Sequence, residues 1–153
     1  MMLREVHIYV PHEQGPAIVA PMYGNMESLN YEQEDAIPVP EWGDPRVLAA
    51  AFRAAIERFT RRDRDLKDFK RNDWPAFRAS GCRSVQQFEN TYHAIFAKAL
   101  NESELYYEAR TRPEGEHEIE LRVLLNRYSS DEEIGRKILR LFHVASMWNL
   151  YAG

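Results

Sequence analysis

Cysteine is nearly absent: Cys82 is the only one in 153 residues. No internal disulfide can form, so packing alone must hold the chain, and a reducing compartment, the cytoplasm, is the expected location. Long apolar runs are missing too. No window approaches the roughly 18 consecutive apolar residues of a membrane span, and Met1-Met2-Leu3-Arg4-Glu5 leads into a strand-like run without the layout of a signal peptide. There is no glycine-rich phosphate loop, no G-x-S-x-G, no His-Glu-x-x-His and no cysteine pair. A basic surplus is also lacking. Lys and Arg number 20 against 24 Asp and Glu, for a net charge of -4, which argues against general affinity for nucleic acid.

What remains is an ordinary globular composition. Hydrophobic residues make up 44% and charged residues 29%, enough for one packed domain over 1–153 and too apolar for a disordered chain. The chain is organised around Glu118 to His143. Ile119, Leu121, Val123 and Leu125 alternate with Glu118, Glu120, Arg122 and Leu124, a period of two that predicts a strand with one face on a core. Ser130 with Glu133 three residues on reads as a capping box, and Asp131, Glu132 and Glu133 suit the positive end of a helix. Ile134, Ile138, Leu141 and Phe142 then follow at helical spacing.

Upstream, Leu3 to Val10 and Ala17 to Tyr23 read as strands, and Asn25 to Asp35 as an exposed acidic loop or weak strand. Two prolines confine Ala36 to Pro40 to an edge strand or connector. Asp44-Pro45 is an N-cap followed by proline at the first helical position, and the stripe from Val47 to Phe59 predicts a helix to about residue 60. Trp74-Pro75 reads as a break, with Ala76 to Arg83 irregular and Gly81 as its turn. Ser84 to Asn101 has two readings. Val85, Phe88, Tyr92, Ile95, Phe96 and Ala99 fit a helix capped by Ser84. Yet Asn101-Glu102-Ser103 and Pro113-Glu114-Gly115-Glu116 are turn signals around an alternating segment, so a three-strand meander fits as well. The resulting class is α/β, more narrowly α+β: a mainly antiparallel sheet with two principal helices near 44–60 and 131–146.

Reactive groups are present but scattered. His7, His12, His93, His117 and His143 include no pair at the spacing of a zinc helix, and His117 reads as part of a solvated turn. His7 and His12 straddle a strand end, and His143 reads as the close of a helix. Cys82 has Arg83 beside it but no base that the sequence can name. Between Arg61 and Arg71 six basic residues are interleaved with three acidic ones, which suits a solvated helix face better than a nucleic-acid surface. No catalytic residue, metal ligand or cofactor site is assigned.

The second half carries a family resemblance. Trp74-x-x-Phe77, Ser84-Val85-x-x-Phe88, a strand pair and Ser130-Asp131-Glu132-Glu133-Ile134-Gly135-x-x-Ile138-Leu139 resemble the immunity proteins of bacterial contact-dependent growth inhibition (CdiI-like) systems, over roughly residues 74–143. The resemblance implies a mixed α/β fold and takes strand over helix for about Thr91 to Leu100. It also implies a cytoplasmic binding protein without catalysis, whose partner is a cognate toxin domain, commonly a nuclease. It implies no direct contact with nucleic acid or membrane. No family contact residues carry over, so the expected partner-binding set rests on charge: Glu27, Glu32, Glu34 and Asp35, with Tyr31 as aromatic anchor. Two rival readings stand beside it. One is a small enzyme using Cys82 or a histidine; the other is a structural or regulatory homodimer joined through the tail Met147 to Tyr151.

Overall fold

The computed structural model describes residues 3–63, 74–110 and 119–151, without the side chains of 148–151. The elements run β1 (Glu5–Pro11), β2 (Ala17–Gly24), β3 (Asn30–Glu32), β4 (Ile37–Val39), α1 (Pro45–Glu57), β5 (Thr60–Arg61), α2 (Pro75–Ser80), α3 (Val85–Thr91), β6 (Tyr92–Ala99), β7 (Glu104–Arg110), β8 (Glu120–Asn126) and α4 (Asp131–Tyr151). The strands form an eight-stranded sheet in the order β3-β2-β1-β6-β7-β8, with β4 and β5 also paired to β2. Every described pairing is antiparallel except β2 with β5. The α+β architecture expected from the sequence is the one observed.

Strand alternation sends side chains to two differently used faces. Val6, Ile8 and Val10 of β1, Ile95 and Ala97 of β6, and Leu105, Tyr107 and Ala109 of β7 point to one side. They meet Leu48, Phe52 and Ile56 of α1 and Ile134, Ile138 and Leu141 of α4 in the main core. Leu121, Val123 and Leu125 of β8 pack against its margin. Tyr9 of β1 and Ile18 and Ala20 of β2 point the other way. With Tyr92 they form a second apolar cluster beneath Ala76 of α2 and Phe88 of α3, with Trp74 and Phe77 at its edge.

The caps read from the sequence are all made. Asp44 accepts from the Arg46 amide at 2.9 Å, Ser84 from the Gln87 amide at 3.1 Å, and Ser130 from the Glu133 amide at 3.1 Å. Two long helices, α1 with 13 residues and α4 with 21, cross closely at their beginnings. There Gly135 lies against the Pro45 backbone. Arg53 of α1 locks the same corner by donating to Asp131 at 2.5 Å and to the carbonyl oxygens of Arg127 (3.0 Å) and Ser129 (2.6 Å).

Two expectations need correction, and one ambiguity is resolved. The segment after Trp74 is helical: Pro75 starts α2, and Gly81 at φ +71° ends it, so the proline that read as a breaker is an N-terminal residue. Ser84 to Ala99 is neither all helix nor all strand. A helical stretch through Thr91 passes directly into β6, the strand expected over about Thr91 to Leu100, whose backbone pairs with both β1 and β7. His143 does not close a helix, because α4 runs on to Tyr151. Residues 64–71 of the charged run, the turn at 113–116 and His117 lie outside the described residues, as do the side chains at the end of the aromatic tail.

Candidate functional site

The acidic stretch splits between the two faces of β3. Tyr31 pairs with Tyr23 across the strands and its ring lies 5.7 Å from the Tyr23 ring. Arg62 covers Tyr23 at 4.8 Å and pairs with Glu34 at 3.0 Å, so Tyr31 and Glu34 belong to one surface group. Glu27 stands exposed in the turn before β3, and Asp35 stands exposed after it, where its carbonyl oxygen accepts from Arg58.

Glu32 differs from the others. Its side chain is only 7% exposed and points to the opposite face, beneath the start of α2. One carboxylate oxygen accepts from the Tyr9 hydroxyl at 2.5 Å and from Trp74 Nε1 at 3.0 Å; the other accepts from the Ala76 amide at 2.9 Å. The His7 ring nitrogen Nδ1 is 3.7 Å from the same carboxylate, an ion-pair distance rather than a hydrogen bond. His7 Nε2 in turn meets Glu5 at 2.6 Å, and Asn30 donates to Glu5 at 2.5 Å. Phe96 packs edge-on against the imidazole at 4.7 Å. Asn30 and Glu32, two residues apart on one strand, are thereby tied to Glu5, His7 and Tyr9 on β1. Glu32 is a structural anchor and leaves the exposed contact set.

The protonation states follow from this geometry. Burial lowers the pKa of His7, but the carboxylates of Glu32 and Glu5 outweigh it and lift the imidazole above its ordinary 6.5. Burial raises Glu32, yet its contacts with His7, Tyr9 and the Ala76 amide leave it below the ordinary 4.5. Burial raises Glu5 as well, while the hydrogen bond and charge of His7, the Asn30 amide and the charge of Lys98 bring it below that same value. Burial and then the Glu32 charge push Tyr9 well above 10, so its phenol stays protonated. The imidazole lies between two carboxylates whose oxygens already accept from other groups. A general base needs reach to a substrate, and this one is directed inward.

These contacts define a fold with relatives among solved structures. A protein of unknown function from Neisseria meningitidis matches with a TM-score of 0.72 at 14% identity, over 93% of this chain and 94% of that one. A chain of the CdiA-CT/CdiI toxin and immunity complex from Yersinia pseudotuberculosis matches with a TM-score of 0.66 at 12% identity, over 95% and 98% of the two chains. No protein-family model matches, and no curated protein matches in sequence. At these identities the likeness establishes a shared fold and nothing finer.

The other reactive groups lie apart from the cluster. His12 faces His93 at 5.6 Å and Phe142 at 6.0 Å, so His7 and His12, five residues apart, serve different environments. Cys82 is half-buried at the margin of the second apolar cluster, and its amide donates to Ser80 at 3.0 Å. Among the described residues no group of three or more His, Cys, Asp or Glu is placed to hold a metal ion. No helix among them is long and apolar enough to cross a membrane. Sequence reasoning missed the buried cluster although its signal was present. Glu5, His7 and Tyr9 occupy the alternate positions of β1 and pass for a solvated face until Asn30 is seen on Glu5, Glu32 and Phe96 on His7, and the cluster under α2 and α3 on Tyr9.

Proposed function

We propose that this chain is an immunity protein that binds and blocks a cognate toxin domain, in the cytoplasm and without catalysis of its own. The observation that carries the reading is the match to a chain of the CdiA-CT/CdiI toxin and immunity complex, which extends over 95% of this chain and 98% of that one. The Ser84, Phe88 and Ser130-to-Leu139 motifs resemble the same class of protein. A nuclease is the toxin class that best suits the chain. A surface that grips nucleic acid is basic, and a net charge of -4 speeds and orients association with such a surface.

The test is direct. The toxin domain encoded beside this gene, made catalytically inactive, is mixed with the intact protein and titrated by calorimetry. One-to-one binding with a dissociation constant well below ~1 μM is expected, together with protection of cells that express the active toxin. A cognate pair that fails to associate at micromolar concentration rejects the reading.

A further inference from the structure

We infer that the proton on His7 sets how firmly α2 is held: with the imidazole charged the helix stays docked on Glu32, and loss of that proton lets α2 open locally while the rest of the domain stays folded. The inference concerns the fold itself and does not depend on the immunity reading.

α2 supports itself poorly. Its six residues are too few for a helix to persist without tertiary contacts. Trp74, at the N-cap, supplies no side-chain cap, and Pro75 has no amide to offer. The Ala76 amide, the first available, donates instead to Glu32 of β3 at 2.9 Å, and Trp74 Nε1 donates to the same carboxylate at 3.0 Å. One carboxylate thus caps the helix and fixes its leading side chain. The rest of the hold is aromatic: Trp74 lies 4.9 Å from Phe88 and 6.2 Å from Tyr9, and Phe77 lies 6.0 Å from Phe88.

Glu32 also links the helix to His7, whose Nδ1 is 3.7 Å away. The groups facing the imidazole can be named strand by strand. Its own strand brings Glu5 at 2.6 Å and the Tyr9 hydroxyl at 3.4 Å. β3 brings Glu32, β2 brings uncharged Ala20, and β6 brings Phe96 and, opposite Glu5, Lys98. With His7 protonated, His7 and Lys98 balance Glu5 and Glu32. A neutral ring keeps its proton toward Glu5 and turns a lone pair toward Glu32, so one negative charge is left over. Burying an unbalanced charge costs far more than burying a balanced set, and opening α2 returns Glu32 to water. The docked form therefore holds the His7 proton more tightly than the opened form. Burial lowers the imidazole, but Glu32 and Glu5 outweigh it and lift it above 6.5. Its hold on α2 is complete below about that pH and is lost as pH rises through the folded value.

Hydrogen exchange on the intact protein tests this. The amides of residues 76–80 and those of α1 are followed between about pH 6 and 8.5, with each opening constant corrected for the intrinsic rise of exchange with pH. α2 is expected to open more readily than α1 throughout, and its opening constant to rise about threefold to tenfold over the interval. His7→Gln, which cannot carry the charge, should show no such rise; the wild-type series decides alone if that variant does not fold. A corrected α2 opening constant that is flat with pH overturns the inference. So do equal opening constants for α2 and α1, which mean that the helix never opens by itself. An unchanged rise in a folded His7→Gln protein assigns the titration to another group and overturns it as well.

Discussion

Gly135→Ala is expected to lower the melting temperature by about 4–8 °C, the equivalent of roughly 2 kcal/mol for a domain of this size. Two effects oppose each other at this position. Alanine favours a helix over glycine by about 1 kcal/mol, so propensity alone predicts a more stable protein. Geometry predicts the reverse. A methyl group on Gly135 would lie 1.9 Å from the Pro45 carbonyl oxygen and 2.4 Å from its carbon. Both are backbone atoms, so no rotamer change relieves the overlap. The first turns of α1 and α4 must separate, and Arg53, which bonds Asp131 and the turn carbonyls, loses its geometry with them. Gly43, whose added methyl would meet nothing within 4 Å, is the control, and Gly43→Ala melts with the wild type. A Gly135→Ala protein as stable as wild type would show that the helices do not cross this closely.

Gly135 also shows where local pattern stops. The sequence placed α4 well, because Ser130, the acidic first turn and the Ile134, Ile138, Leu141 stripe are all local signals. It offered nothing to say that position 135 faces another backbone. The segment from Ser84 to Ala99 was ambiguous for a physical reason. Phe88 and Tyr92 are four apart, as on a helix face, and both enter the second apolar cluster, yet Tyr92 already belongs to the strand. Period counting cannot locate a junction that keeps the stripe intact on both sides. The turn at Trp74-Pro75 failed differently. Proline ends one helix and begins the next with equal ease, and only the left-handed Gly81 marks the far end of α2. Within the acidic stretch, charge alone could not separate Glu32 from Glu34. They stand two residues apart, but Glu32 is the last residue of β3 and lies under the start of α2, while Glu34 is past the strand and pairs with Arg62, and which charge lies under a helix is decided by tertiary contacts. Composition therefore indicated an acidic face while hiding the anchor beneath it.

That anchor supplies the second large effect. Glu32→Ala should cost about 3–5 kcal/mol, because it leaves buried donors without their acceptor. Tyr9, Trp74 and the Ala76 amide each lose their acceptor, and His7 loses one of its two counter-charges. Glu32→Gln keeps one acceptor oxygen but replaces the other with donors facing donors, so it should fall between alanine and wild type. The pH profile separates electrostatics from packing. His7 is raised above 6.5, so its contribution is complete below about that pH and is lost as pH rises through the folded value. Glu5 and Glu32 lie below 4.5, so their contribution is complete above it and is lost as pH falls through their depressed values. Wild-type stability contributed by the cluster is thus greatest between these limits and declines on both sides, while Tyr9 remains protonated throughout. Urea unfolding of the wild type between about pH 5.5 and 8.5 should show the alkaline decline, and His7→Gln should flatten it. If wild type and His7→Gln lose stability in parallel over that interval, the imidazole is not held charged between its carboxylates. Asn30 and Glu32 would then be tied to β1 by the hydrogen bonds of Glu5 and Tyr9 alone, beside the backbone ladder that joins β3 to β2.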